Sequence, residues 1–183
     1  MYGLVNKAVE GLVCSKFGED TWNQILEKAQ IDADSFVSME AYPDAVTYKL
    51  IGAACEVLKL DAATVLQTFG EYWTLYTVNE GYGELMEMFG NNLKEFLHNL
   101  DRLHGHVAMG FSELRPPSFR VEELPNEKAL LLHYHSQREG LGPMVIGLVR
   151  GLAKRFGEEV EITHVRQQAP GQHDIFRIEF KVH

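Results

Sequence analysis

Apolar residues recur at helical spacing over roughly the first hundred positions of the chain. In the opening segment Leu4, Val5, Ala8, Val9, Leu12, Val13 and Phe17 fall in pairs every four residues and make one apolar face. Gly18 closes this helix, and a second is predicted over Glu19 to Gln30. A third begins at Asp44, just after Pro43, and carries Val46, Leu50, Ala53, Ala54, Val57 and Leu58. Asp61 is placed to N-cap a fourth, whose stripe is Val65, Leu66, Phe69, Trp73 and Tyr76. After a break at Gly81-Tyr82-Gly83, Asn91 or Asn92 can cap a longer helix. Its apolar positions are Leu93, Phe96, Leu97, Leu100, Leu103, Val107 and Phe111, and His104 falls inside that stripe.

At Arg115-Pro116-Pro117 the pattern changes, because consecutive prolines cannot continue a helix and push the preceding residue toward extended geometry. Beyond them the period is two. Phe119 and Val121 alternate with Arg120 and Glu122, Pro125-Asn126 marks a turn, and Leu130, Leu132, Tyr134, Ser136 and Arg138 share one parity of a strand. A helix over about Gly142 to Phe156 presents Val145, Leu148, Val149, Leu152 and Phe156. Two further strands, Glu158 to Arg166 and His173 to Val182, are joined by Ala169-Pro170-Gly171. The predicted fold is α+β: a helical lobe over about 1–115, then a strand-rich lobe over about 116–183 with a four-stranded antiparallel sheet and packed helices.

With 183 residues, 45% of them hydrophobic, the chain can bury one substantial core, or a core plus an internal cavity, so a single domain is expected. A net charge of -9 opposes binding to phosphate backbones, which needs a basic surface, and argues against a nucleic-acid partner. Cys14 and Cys55 are in no CxxC spacing, support neither a disulfide framework nor a thiolate zinc site, and fit a reducing cytosol. The start, Met1 to Gly11, lacks the basic beginning and long apolar run of a signal peptide, and no window is apolar enough to span a membrane. A cytoplasmic location is therefore expected. There is no P-loop and no workable Ser-His-Asp set, so no catalytic role is expected.

Two features carry candidate chemistry. His104 lies one turn from Leu100 and three residues before Val107, so its imidazole is expected to face the interior. Taken alone, a histidine on an apolar stripe is more often a satisfied core residue than a ligand. His106 is two residues away and faces elsewhere, so the pair makes no metal clamp. The second feature is the strand parity that turns from Leu130 and Leu132 to Tyr134, Ser136 and Arg138 without changing face. Three donors in line need acceptors, supplied either by carboxylates of the chain or by an anionic ligand. A ligand with two carboxylates and an apolar body suits the row, and heme is such a molecule; it also takes an axial imidazole from an apolar helix.

Together, Leu100-Asp101-Arg102-Leu103-His104, Arg115-Pro116-Pro117 and Tyr134-His135-Ser136-Gln137-Arg138 resemble the heme nitric-oxide/oxygen-binding (H-NOX) domain, related to the heme domain of soluble guanylate cyclase. The resemblance runs over essentially the whole chain. Met1-Tyr2-Gly3-Leu4-Val5 and Phe69-Gly70-Glu71-Tyr72-Trp73 resemble stand-alone cyanobacterial members in particular. It implies heme b (iron protoporphyrin IX) between the lobes, His104 as proximal iron ligand, and Tyr134, Ser136 and Arg138 on the propionates. Pro117, thirteen residues after His104, matches the proline that presses the macrocycle out of plane, although a proline at a helix-to-strand junction needs no cofactor to account for it. Val5, Trp73, Met144 and Leu148 are candidates for the gas side, and each can equally be plain core.

Oxygen-binding relatives use a tyrosine on the helix after the Tyr-x-Ser-x-Arg strand. Here Pro143 stands five residues after Arg138, and 142–156 contains no tyrosine. The resemblance therefore implies a nitric oxide sensor, also open to carbon monoxide, that forms no stable oxygen complex; Tyr2, Tyr72, Tyr76 and Trp73 are the remaining donors that bear on this. It further implies a histidine kinase or a cyclic-dinucleotide enzyme as partner, and a signal carried by a weakened bond between iron and His104. The competing readings are a heme carrier or scavenger, and a heme-free interaction module in which Arg138 is paired within the chain.

Overall fold

Local chemistry sets the helix boundaries in the N-terminal half. In the computed structural model, which describes residues 1–32, 35–125, 127–166 (without the Arg166 side chain) and 173–181, α1 spans Gly3–Phe17, α2 Glu19–Ala29, α3 Asp44–Leu58 and α4 Ala62–Thr77. Gln30 takes the left-handed conformation at the end of α2, with its N–H on the carbonyls of Glu27 and Leu26. Asp61 caps α4 as predicted, its carboxylate accepting from the Thr64 N–H at 2.9 Å. The expected break at 81–83 is a π-helical turn, Val78–Tyr82, with Gly81 at φ 96, leading into the short α5 (Gly83–Glu87).

Asn92 caps the next helix through the Glu95 N–H, but the single long helix expected there is two. α6 (Leu93–His98) and α7 (Leu100–Ala108) meet at Asn99, which leaves helical geometry at φ -98, ψ 2. Its side-chain amide donates to the Glu95 carbonyl and its amide oxygen accepts from Arg102, the local competition with helix bonding that asparagine offers. Phe111 lies beyond the helix, buried against Tyr2 with ring centroids 4.7 Å apart.

The second half forms β1 (Ser118–Glu123), β2 (Ala129–His135), α8 (Gly142–Phe156), β3 (Val160–Arg166) and β4 (Asp174–Phe180). The strands make one antiparallel four-stranded sheet, as expected, in the order β1-β2-β4-β3. Asn126 of the expected turn, the Ala169-Pro170-Gly171 connection and Val182 lie outside the described residues. Phe119, Leu130, Leu132, Tyr134, Phe176 and Ile178 form the buried face, against which α8 sets Val145, Val149 and Leu152 and α6 sets Phe96 and Leu97. Each such side chain contributes about 1.5–3 kcal/mol by leaving water.

Two apolar clusters result. One joins α1 to α4; the other joins the sheet, α8 and residues 86–103. Pro116-Pro117 thus marks the change from helix to strand, whereas α5, α6 and α7 already pack with the sheet. α8 bridges the clusters because its other side lies against α4 at very close range. A Cβ on Gly147 would fall 2.0 Å from the Gln67 carbonyl oxygen, and one on Gly70 2.2 Å from that of Met144. Only residues without a side chain permit this approach.

Candidate functional site

His104 sits on α7 with its imidazole turned inward, as its place in the apolar stripe predicts. Its Nδ1 is fully buried and has no hydrogen-bond partner. Burial pushes the imidazole pKa down, while the charge of Asp101 and the carbonyl of Pro117 pull it part of the way back. The ring is therefore neutral near pH 7, which is the form that ligates a metal. Pro117, half-buried, lies beside the ring, so the sequence-predicted pair His104 and Pro117 is brought together.

From His104 a row of rings leads to the donor segment. Phe119 lies 5.8 Å from the imidazole and 5.2 Å from the Tyr134 ring, both centroid to centroid. Tyr134 is buried, and burial raises its hydroxyl pKa against the hydrogen bond it shares with Ser136. The Ser136 hydroxyl in turn accepts from the Arg138 N–H at 3.0 Å. This last bond corrects the strand reading: β2 ends at His135, and the backbone turns over Ser136 instead of continuing extended to Arg138. Tyr134, Ser136 and Arg138 are neighbours because of that turn, not because of strand parity.

Arg138 is paired within the chain. Its Nε donates to Asp44 Oδ2 at 2.8 Å, Nη2 to Asp44 Oδ1 at 3.3 Å and Nη1 to the Arg115 carbonyl at 2.9 Å. Burial works to raise the Asp44 pKa, but hydrogen bonds and charge from the Met1 amino group and Arg138 overcome it and hold the carboxyl below its ordinary value. A guanidinium has five N–H groups, so two remain for another acceptor. The Tyr48 hydroxyl, also from α3, donates to the Glu139 carbonyl at 2.9 Å, so α3 holds the turn at two adjacent residues.

Asp101 is the residue whose role sequence reasoning missed. One carboxylate oxygen accepts from the Phe119 N–H at 2.6 Å and the other from the Ser118 hydroxyl at 2.8 Å, which ties α7 to the start of β1 within one turn of His104. An acidic residue three positions before the histidine was its only trace in the sequence. Asp44 was read only as a helix start; nothing local pairs it with a residue so far along the chain.

The gas-side candidates Val5, Trp73 and Met144 are half-buried against the helical cluster, and Leu148 is half-buried on α8. Trp73 lies 6.0 Å from Phe69 and stacks on Tyr76 at 6.2 Å. Burial and the charge of Glu80 push the Tyr76 hydroxyl up to about 12. The Tyr2 oxygen accepts from the Glu113 N–H at 3.0 Å. Pro143 occupies the first turn of α8, where a missing N–H costs nothing.

A helical lobe, a four-stranded antiparallel sheet and a neutral histidine linked through Phe119 to Tyr134 define the chain as an α+β domain. The chain belongs to the H-NOX family: the family model described as Haem-NO-binding matches residues 2–164. A soluble guanylate cyclase from Caenorhabditis elegans is 39% identical over 171 residues, which is 91% of this chain and 25% of that protein. The beta-2 subunit of soluble guanylate cyclase from Rattus norvegicus is 37% identical over 131 residues, 65% of this chain and 18% of that subunit. The chain thus spans about a quarter or less of these relatives. Two structures of an H-NOX protein from S. oneidensis, a mutant in the Fe(II) state and the protein in the Fe(II)NO state, share the fold with TM-scores of 0.90 and 0.88 at 23% identity. Both alignments cover all of this chain, and 97% and 100% of those chains.

The residues present fit heme on three counts. The His104 ring is neutral and its Nδ1 is buried without a hydrogen-bond partner, a combination that suits an axial ligand. Tyr134, Ser136 and Arg138 are gathered in one turn, and Arg138 keeps donors to spare. The ring packed against His104 is that of Phe119, which is apolar and buried.

Proposed function

We propose that this chain is a heme-based gas sensor that binds nitric oxide at ferrous heme b and passes the signal to a separate protein. The observation that carries the reading is the neutral, inward-turned imidazole of His104, its Nδ1 buried without a hydrogen-bond partner, beside Pro117 and in ring contact with Phe119, which in turn meets Tyr134. Heme supplies, when bound, a ferrous iron with a position open to a diatomic gas, carbon monoxide included. His104 holds the iron, while Tyr134, Ser136 and Arg138 hold the propionates. Pro117, next to the imidazole, bears on the macrocycle, and Val5, Trp73, Met144 and Leu148 line the gas side.

The switch follows from how α7 is attached. Asp101 pins its first turn to β1, and His104, one turn on, would be its second attachment. Release of His104 from the iron on nitric oxide binding would leave α7 held by the Asp101 tie and by its packing on the sheet cluster. The helical cluster and the sheet cluster would then be free to shift about the Asp44–Arg138 crossing. Pro143 in the first turn of α8 offers no N–H, and helix 142–156 has no tyrosine, which supports nitric oxide over stable oxygen binding. The partner class we favour is a histidine kinase or a cyclic-dinucleotide enzyme in the cytoplasm. Among the described residues no helix is long and apolar enough to cross a membrane.

The Asp44–Arg138 pair favours a second reading, a heme-free interaction module in which the guanidinium is already satisfied. One absorption spectrum separates the two. Ferrous protein from heme-replete cells is expected to show a Soret band that shifts with nitric oxide and is unchanged in air; colourless protein would establish the module instead.

A further inference from the structure

A groove of about 750 Å³ follows α4, between the end of α1 and one side of α8. α4 is its floor, since it packs on both of the other helices. Lys16 stands on the α1 wall, and Arg150, Lys154 and Arg155 stand on the α8 wall. Among the described residues lining the groove Glu71 is the one carboxylate, in a chain whose net charge is -9. On the floor Leu75 is 59% exposed, and Val78, in the π-helical turn that follows α4, is half-buried.

The chain does not neutralise these cations itself. Lys154 meets Glu71 at 2.7 Å and Arg155 meets Glu87 at 3.6 Å. Arg150, however, donates to the neutral Gln67 side chain at 2.8 Å, which leaves its charge uncompensated. Lys16 has no ion pair among the described residues. One unbalanced positive charge therefore remains on each wall, with an exposed leucine between them. A single exposed leucine is ordinary on a protein surface. A leucine set between two basic walls, on a chain that is acidic as a whole, has the pattern of a recognition surface.

We infer that this groove docks an acidic amphipathic helix of the protein that receives the signal, an inference that rests on reading the chain as a sensor with a separate partner. The apolar stripe of such a helix is bordered by polar residues on both sides. The stripe covers Leu75 and Val78, while carboxylates on its two borders meet Lys16 on one wall and Arg150 and Lys154 on the other. An extended segment points its side chains alternately at the floor and away from it, so it would leave both walls without partners. Walls and floor built of helices also offer no free backbone edge for a strand to pair with. From Thr64 to Val78 the floor runs for about 21 Å, roughly four helical turns. The groove backs onto the proposed gas side: on α4 Trp73 immediately precedes Thr74 and Leu75, and on α8 Leu148 lies just before Arg150 and Gly151. A shift of the helical cluster against α8 changes the distance between the two walls, and with it the fit of the docked helix.

Fluorescence anisotropy of a labelled synthetic helix, with leucines at helical spacing and glutamates on both borders of the stripe, tests this on the heme-loaded chain. Saturable binding that weakens as salt rises is expected, although the acidic chain as a whole repels such a peptide. Lys16→Glu, Arg150→Glu and Leu75→Ser should each weaken binding about fivefold or more. Arg120→Glu, at an exposed arginine of β1, makes the same change in net charge as Arg150→Glu and should leave binding unaltered. All four positions are exposed, and circular dichroism of each variant checks the fold. The absorption spectrum of the same sample keeps the two readings apart: a missing Soret band overturns the sensor, and missing peptide binding overturns the groove. The inference also fails if any of the three groove variants binds as tightly as wild type, or if a peptide with lysine in place of glutamate occupies the same groove. Binding to phosphatidylglycerol vesicles that needs Arg150, without binding of the peptide, would give the patch to a membrane surface and overturn it as well.

Discussion

Asp44 and Arg138, 94 residues apart in the sequence, are joined by two hydrogen bonds of 2.8 and 3.3 Å that carry the start of α3 to the turn after β2. The same guanidinium is the charged member of the proposed propionate site. Asp44→Asn removes the competing carboxylate but keeps an amide oxygen as acceptor, whereas Arg138→Gln removes the donor fork. Heme retention, followed as transfer to apomyoglobin, is expected to be much faster for Arg138→Gln and little changed for Asp44→Asn. Equal retention in both variants would place Arg138 in a purely internal role.

Acid should loosen this crossing in a defined direction. The folded-state pKa of Asp44 is held below its ordinary 3.8, so its contribution to stability is complete above that value and is lost as pH falls through the lower folded value. The carboxylate is 40% exposed, so solvent screening limits the effect to less than about 1 kcal/mol. Thermal melts from about pH 6 to about pH 3 should show a steeper acid loss in wild type than in Asp44→Asn.

Removing the His104 ring should abolish tethering without removing the cradle. His104→Gly is expected to lose its Soret band and recover it when free imidazole is supplied, because the space left is imidazole-shaped and its inner end, at Nδ1, is closed to solvent. If the rescued protein responds to nitric oxide with the wild-type conformational change, measured by small-angle scattering or hydrogen exchange, the covalent link from His104 to α7 is irrelevant to signalling.

The α4–α8 contact should tolerate no added methyl group. Gly147→Ala places a carbon 2.0 Å from a backbone oxygen, so the helices must part, at a cost of roughly 1–3 kcal/mol. Gly52→Ala on α3 meets nothing within 4 Å and should stabilise by roughly 0.5–1 kcal/mol through helix propensity. Urea unfolding of the two variants measures both signs.

Periodicity was enough to locate α1 to α4, α8 and the four strands, because one-sided burial imposes a 3.6- or 2-residue repeat that survives in any single sequence. His104 and Pro117 were legible for a related reason: one lies on an apolar stripe and the other ends the helical region, and the short loop between them leaves them adjacent. The break at Asn99 was not legible, since both sides keep the same apolar period and only a side-chain hydrogen bond ends the first helix. The turn over Ser136 hid for the same reason, with alternation running on past the point where the strand stops.

By itself the sequence determined the class of elements, their order and the residue types able to hold an iron and two carboxylates. Each of those is a property of neighbours within a turn or two of chain. Only the tertiary structure decided which distant groups share a site. Asp44 reaches Arg138, and Lys16 comes to face Arg150 across α4, through packing of elements far apart in the chain. The neutrality of His104 is likewise a consequence of desolvation in the packed structure, which outweighs the opposing pull of Asp101 and the Pro117 carbonyl. Desolvation and long-range hydrogen bonds depend on packing in three dimensions, and a linear pattern does not encode which partner will be there.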